Sequence, residues 1–253
     1  MSDSHTLNIV TPCSRTTYLR SIYYSIGASF FNLPHKINWH IVLDKHVKYD
    51  KCPIKKCPEF RSISIILHQS LTKSYYGNCC RNIALDLIDS GFIYFLDDDT
   101  LMHLNFGKYF QFFQPNNAYT FLSEGLPFNV LRIIQSKANN FQIIDCNHSQ
   151  IGPNYQSYAT ALENYQLLLN QPTFLSFLAP NYPLPSRIDS SMFCVCSSLV
   201  KETRWDDSNY RSDGVFISRI VESVGFENLK YVNKILGHYN FLDPDPKPTI
   251  YRE

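Results

Sequence analysis

Short apolar runs alternate with longer amphipathic stretches along the first half of the chain. Residues 7–10 (L-N-I-V), 38–43 (N-W-H-I-V-L), 61–67 (R-S-I-S-I-I-L) and 92–96 (F-I-Y-F-L) are short and rich in apolar residues. This pattern predicts strands, and the uninterrupted run at 92–96 predicts one buried on both faces. From Thr17 the spacing changes. Leu19, Ile22, Tyr23, Ile26 and Phe30 recur at three- and four-residue steps, which predicts an amphipathic helix. A second helix is predicted before residue 92, with Ile83, Ala84, Leu87 and Ile88 on one face and Gly91 as its C-cap. Pro12 has no backbone N–H and is expected to end the first strand. The strand–helix–strand rhythm implies an α/β fold with a mostly parallel, Rossmann-like central sheet flanked by helices.

The second half is less regular. Residues 105–113 are expected to be helical, and 119–122 to be a strand broken by Glu124, Gly125 and Pro127. Residues 130–134 and 141–144 are expected to be a hairpin or paired edge strands, 158–169 a helix, and 180–185 a proline-rich loop. A polar start, Ile188-Asp189-Ser190-Ser191, then runs into a buried strand ending at Cys196. Ser212 is a candidate N-cap for a helix carrying Val215, Phe216, Ile217, Ile220 and Val221. A last strand at 229–232 precedes Gly237, His238 and a proline-rich tail. There is no repeat and no linker, so residues 1–253 are expected to form one domain.

Composition narrows the partners. Lys plus Arg number 23 and Asp plus Glu 22, a balance that gives no large basic surface for nucleic acid. Aromatic residues make up 15% of the chain, enough to supply a core and also faces for bases or sugars. The polar N-terminus has no signal-peptide pattern, and no run approaches the roughly 18 apolar residues of a membrane span. The eight cysteines do not form a disulfide framework, and Cys52 and Cys57 have no second pair at zinc spacing. Reduced thiols in a cytoplasmic protein are therefore expected.

The candidate chemistry centres on Asp97, Asp98 and Asp99, which follow the most apolar run directly. Three carboxylates at one strand tip repel one another, and an oxygen-rich cluster of this kind suits a hard divalent ion such as Mn2+ or Mg2+. The carboxyl end of a strand in an open α/β sheet is also where ligands bind. A solvated acidic turn is the alternative. Asp44, at the end of 38–43, could accept hydrogen bonds from a base or ribose, or be an exposed loop acid. Arg81 could meet a phosphate or the acidic triplet, or lie on the surface. Asp213 would be favoured in the first turn of its helix by the helix dipole, whatever else it does.

Three stretches carry a resemblance to a known family. Val10-Thr11-Pro12, Arg81-Asn82-Ile83-Ala84-Leu85 and Tyr94-Phe95-Leu96-Asp97-Asp98-Asp99 resemble the motifs of GT-A fold glycosyltransferases with a DxD motif. They are most similar to the glucuronyltransferase group that acts on proteoglycan linkers, and also resemble the broad bacterial family of inverting sugar transferases. The likeness covers about the first 105 residues well. It implies a nucleotide-sugar-binding half at 1–105 and an acceptor-binding half at 106–253.

The same resemblance implies roles for individual residues. Asp97 and Asp98 would hold the ribose and its surroundings, and Asp99 the metal. Asp44 would lie beside the base, with Pro12, Arg15 and Arg81 on the nucleotide side. His238 would reach the metal or diphosphate. Trp205 and Asp206 would face the acceptor. Asp213 stands where the family has its general base, although that base is a glutamate there. Residues 125–187 do not follow the family.

The expectation is thus a metal-dependent, inverting transfer from a nucleotide sugar, with a UDP-sugar the leading candidate, to a hydroxyl of a glycan or other acceptor. Two alternatives stand beside it: a non-catalytic nucleotide- or glycan-binding domain, and a metal-dependent phosphoryl-group hydrolase. The D-x-D-x-T phosphatase motif is missed by one residue, since Thr100 follows Asp99 at once. A sugar-nucleotide synthesising enzyme would want a glycine-rich loop, and residues 11–17 contain no glycine.

Overall fold

The computed structural model describes residues 6–48, 54, 57–72, 76–125, 188–200, 202–207 and 212–239. Its strands are β1 (Thr6–Cys13), β2 (Lys36–Leu43), β3 (Ile63–Gln69), β4 (Phe92–Phe95), β5 (Leu101–Met102), β6 (Ala118–Gly125), β7 (Phe193–Cys196) and β8 (Leu229–Tyr239). They form one sheet in the order β3-β2-β1-β4-β7-β6-β8-β5. The β3-β2-β1-β4 portion is parallel throughout. β7 runs antiparallel to both β4 and β6, β6 and β8 are parallel, and β5 closes the far edge antiparallel to β8. The mostly parallel α/β sheet expected from the alternating pattern is therefore present.

The helices are α1 (Leu19–Ser29), α2 (Asn78–Leu85), α3 (Phe106–Phe110), α4 (Ser197–Val200) and α5 (Ser212–Val224). One face of the sheet packs under α1 and α3, in a cluster that includes Ile9, Ile22, Tyr23, Ile26, Trp39, Tyr94, Phe106 and Phe121. The other face packs under α2 and α5, with Val10, Val42, Ala84, Phe95, Phe193, Phe216 and Ile220. Alternate residues of β1, β2, β4, β6 and β7 feed opposite clusters, as the two-residue period requires. All four residues of β4 are buried, which accounts for its unbroken apolar run.

Several boundaries differ from expectation for local reasons. α2 stops at Leu85, with Asp86 in the C-cap position, and Leu87 is exposed rather than on the buried face. Gly91 is accordingly no C-cap. It has φ +89°, and a Cβ there would lie 2.5 Å from the Thr6 carbonyl oxygen, so glycine lets the chain turn into β4 hard against β1. β1 continues through Pro12, because the β1–β4 ladder ends at Val10–Phe95 and the missing N–H falls beyond it. β6 contains Glu124 and Gly125, β8 extends to Tyr239, and β5 was not anticipated. The expected elements at 130–134, 141–144, 158–169 and 180–185, and the tail after Tyr239, lie outside the described residues.

Candidate active site

The carboxyl ends of β1, β2 and β4 lie side by side, because these strands are parallel and adjacent. Their ends carry Ser14 and Arg15, Asp44, and Asp97 to Asp99, so residues distant in sequence form one rim. The antiparallel β7 enters beside β4 and brings the turn at Ser190–Met192 against the same end. The N-termini of α2 and α5 meet there too, since Asn78 Nδ2 donates 2.8 Å to Ser212 Oγ.

The three aspartates are divided between two arginines. Asp98 is 5% exposed and fully engaged. Its Oδ2 accepts from Ser14 N (2.7 Å), Ser14 Oγ (2.9 Å) and Arg15 N (2.8 Å), and its Oδ1 from Arg15 Nη2 (2.8 Å) and Nε (3.3 Å). These bonds clasp the loop after β1 onto the tip of β4. Arg15 Nη2 also donates 2.6 Å to Asp99 Oδ2. Burial opposes the Arg15 charge, yet Asp98 and Asp99 hold its pKa above the ordinary value. Burial, Asp97 and Asp98 push Asp99 up to about 6, while Arg15 pulls the other way.

Arg81 serves the opposite side. It is 2% exposed, with Nη2 donating 2.5 Å to Asp97 Oδ1. Nη1 donates to Tyr76 O (2.8 Å) and Asn78 Oδ1 (2.9 Å). The guanidinium lies 4.6 Å over the Trp205 ring, a cation–π contact in a desolvated setting. Gly77 makes this turn possible, with φ +76° and Pro12 so close that a Cβ would lie 2.7 Å from it. Burial works against the Arg81 charge, and Asp97, Asp213 and Asp189 outweigh it to raise its pKa.

Asp213, in the first turn of α5, reaches this cluster. Its Oδ2 accepts from Ser190 N at 3.4 Å. Burial raises its pKa, Arg81 lowers it, and Asp97 raises it again, giving about 6. Asp189 stands beside it and was not singled out from sequence. It caps the turn at Ser190–Met192, with Oδ1 accepting from Ser191 N (2.8 Å) and Ser191 Oγ (2.6 Å). Burial, then Asp213 and Asp97, push it up to about 8 against the pull of Ser191. The signal was a polar D-S-S immediately before a buried strand, the mirror image of the acidic triplet that follows β4.

Other predicted residues take various places. Pro12 packs on Gly77 beneath the rim. Asp44 lies at the end of β2, with its N–H on Cys13 O and its Oδ1 accepting from Lys45 N. Asp206 is half-buried, and its carbonyl accepts from Asn78 Nδ2 at 2.8 Å. Trp205 differs from the acceptor platform expected of it. It is 3% exposed, stacked on Phe216 at 4.2 Å and edge-on to Phe95 at 5.0 Å. Its ring is thus a wall of the Arg81 pocket, and burial leaves no face for an acceptor sugar.

His238 is buried on β8, paired in register with Leu101, two residues beyond Asp99. Its ring lies 5.1 Å from that of His103. Burial, then proximity to His238, pushes His103 down to about 3, and its Nδ1 accepts from Asn105 N. Among the described residues, no group of three or more His, Cys, Asp or Glu side chains is arranged as a metal cage. The expected pair of Asp99 and His238 therefore supplies at most part of a coordination shell. That suits Mg2+ or Mn2+, which keep waters and take oxygen from substrate phosphates. The charge at Asp99 fits a cation as well, since one partly exposed arginine faces it across a buried acidic tip.

No protein-family model matches the chain, and no curated protein matches it. Solved structures do. TarS residues 1–349 from S. aureus, in complex with UDP, matches with a TM-score of 0.58 at 12% identity, over 92% of this chain and 60% of that one. The mannosyltransferase PcManGT from Pyrobaculum calidifontis, with GDP-Man and Mn2+, matches with a TM-score of 0.50 at 10% identity, over 91% and 55%. Glucosyl-3-phosphoglycerate synthase from Mycobacterium tuberculosis, with Mn2+, UDP and phosphoglyceric acid, matches with a TM-score of 0.50 at 11% identity, over 92% and 70%. The chain thus spans about 60% of the TarS fragment and less of PcManGT. The shared architecture is a mixed, mostly parallel sheet with flanking helices, and the chain has the GT-A type of glycosyltransferase fold.

Proposed function

We propose that this chain is a metal-dependent glycosyltransferase that moves a sugar from a nucleotide sugar, with a UDP-sugar as leading candidate, to a hydroxyl acceptor with inversion. One observation carries the reading. Asp97 at the end of β4, Arg81 on α2 and Asp213 on α5 meet at a single strand end, although they are far apart in sequence. The neighbours in complex with UDP, GDP-Man and Mn2+ support a nucleotide-sugar donor and a divalent ion.

Each group has a task in this reading. Asp99 and His238 would hold Mn2+ or Mg2+, which supplies Lewis-acid stabilisation to the departing diphosphate. Asp97, Asp98, Asp44, Pro12, Arg15 and Arg81 form the nucleotide side, with Asp98 acting through the loop it clasps. Asp213 is the general base. It accepts the proton of the acceptor hydroxyl as that oxygen attacks the anomeric carbon and the bond to the diphosphate oxygen breaks. The electron pair leaves with the nucleotide. A carboxylate with a pKa near 6 is ionised at neutral pH yet basic enough to assist proton transfer. Residues 106–253 are assigned to the acceptor side, with the half-buried Asp206 rather than the buried Trp205 as the more accessible member.

A screen of sugar nucleotides for nucleoside diphosphate release, run on the wild type and on Asp213→Asn, tests the reading. The expected result is release from one sugar nucleotide by the wild type and loss of release in the variant. Unchanged release by Asp213→Asn would leave that residue as a helix-terminus acid only.

A further inference from the structure

Resting on the reading of Asp213 as base, we propose that Asn78 is a positioning residue. Its carboxamide fixes where the start of α5, and with it the Asp213 carboxyl, stands relative to Arg81. Asn78 is fully buried at the first position of α2. A carboxamide there has two N–H groups and one carbonyl oxygen to satisfy. Nδ2 donates 2.8 Å to Asp206 O and 2.8 Å to Ser212 Oγ, across 128 and 134 residues of chain. Oδ1 accepts 2.9 Å from Arg81 Nη1. The partners leave no choice of orientation, since a guanidinium can only donate and a peptide carbonyl can only accept. Packing at a buried helix position needs no amide, and burying one is unfavourable unless its groups are bonded. What the amide adds is direction.

Asn78, Arg81 and Asn82 stand at three- and four-residue spacing, so they share one face of α2. Asn82 grips the backbone of Trp205, accepting from its N–H at 2.8 Å and donating to its carbonyl at 3.0 Å. Two kinds of contact then run from Arg81 to α5. The apolar one passes through the Trp205 ring, 4.6 Å from the guanidinium and stacked on Phe216 of α5 at 4.2 Å with 13° between planes. Stacked faces hold a separation but tolerate a range of offsets. The polar one passes through Asn78 to Ser212, the residue before Asp213. Hydrogen bonds weaken steeply when bent, so this route fixes the lateral position that stacking leaves loose. That position matters to a base, which must come within about 2.6–3.2 Å of the proton it takes. A misplacement of about 1 Å costs about 10²-fold in rate.

Ser212→Ala, Asn78→Ala and the double variant of the full chain test this. Steady-state kinetics follow nucleoside diphosphate release from UDP-GlcNAc, or from whichever sugar nucleotide the wild type cleaves. Calorimetry with Mn2+ present gives the affinity and stoichiometry of that diphosphate. Ser212→Ala cuts only the arm to α5. Its kcat should fall about 10- to 10²-fold, with KM, affinity and stoichiometry unchanged. Partial unfolding would instead lower turnover and the number of binding sites together. Asn78→Ala also strips a partner from Arg81, so its kcat should fall at least as far and its affinity for the diphosphate severalfold. Adding Ser212→Ala to Asn78→Ala should bring no further loss of kcat, because both changes break the same bond. Wild-type kcat in Ser212→Ala overturns the proposal. So does a fall in kcat matched by lost binding sites, and so do losses that multiply in the double variant. Normal release by Asp213→Asn is a different failure, and it removes the base assignment itself. If Asn78→Ala does not fold, the kcat and stoichiometry of Ser212→Ala still decide.

Discussion

Two arginines share one run of three aspartates, and they do so in opposite ways. Arg15 keeps 38% of its side chain exposed and pairs with Asp98 and Asp99. Most of that cluster's bonds come from Ser14 and Arg15 itself, so it is a clasp between two adjacent strand ends. Arg81 keeps only 3% exposed and pairs with Asp97. It faces two further carboxylates, Asp189 and Asp213, delivered by elements from the second half of the chain. The first cluster joins two adjacent strand ends and sets one cation against two carboxylates, one of them fully hydrogen-bonded. The second draws on four elements and, among the described residues, sets one cation against three carboxylates. An excess of that sort is unfavourable for stability and useful for chemistry, because it sets carboxyl pKa values near the working range.

The comparison can be broken from the Arg81 side first. Asp213→Asn should lower transfer by roughly 10²–10⁴-fold while leaving UDP binding in place, as steady-state kinetics and calorimetry would read. Arg81→Met removes the shared cation and strands three carboxylates. It should destabilise the protein by about 3–5 kcal/mol in chemical denaturation at neutral pH, and by less in acid where those carboxylates are protonated. Equal loss at both pH values would mean that Arg81 acts by packing on Trp205 alone. On the other side, Asp98→Ala should cost about 1–3 kcal/mol, the range for leaving buried donors unmet, and Arg15→Met about 1 kcal/mol because that side chain is partly exposed. If Arg15→Met proves as costly as Arg81→Met, the contrast between a clasp and a charged pocket is lost.

A smaller effect concerns pH. Asp189 and Asp213 bind protons more tightly in the native state than when unfolded, where both titrate near the ordinary 3.8. Their contribution to stability is full below that value and is lost as pH rises through about 6 and then about 8. Burial, then the neighbouring His68, pushes His40 down to about 4, which has the opposite sign. Its contribution is present above the unfolded histidine value and is lost as pH falls through about 4. Asp189→Asn should therefore flatten the decline in denaturation free energy from about 3.8, the unfolded value, up to about 8, the Asp189 value, and leave the loss through about 4 that His40 sets unchanged.

The same contrast explains what could be read from the chain alone. Asp97 to Asp99 are contiguous and follow four fully buried strand residues, so position and burial are encoded in one stretch. Arg81 and Asp213 could be named as candidates, but locally each also fits a surface or helix-terminus role. Only the strand order, with β7 inserted next to β4, brings the Asp189 turn to the tip. Nothing in a D-S-S triplet distinguishes that from an ordinary turn. Trp205 misled for the converse reason. It sits in a polar W-D-D context that looks exposed, but Asn82 pins its backbone at 2.8 and 3.0 Å and draws the ring under Arg81. Gly91 has the place of a helix stop only if the apolar face continues through Ile88, and α2 ends at Leu85. The positive φ of Gly91 instead serves the entry into β4.

To the aspartate-bearing tip of β4 we assign a nucleotide diphosphate held together with a divalent ion. Calorimetric titration of the full chain with UDP, with and without Mn2+, decides that assignment. UDP binding should depend on Mn2+ and be lost in Asp99→Ala. UDP binding indifferent to Mn2+, or no binding in either condition, overturns it.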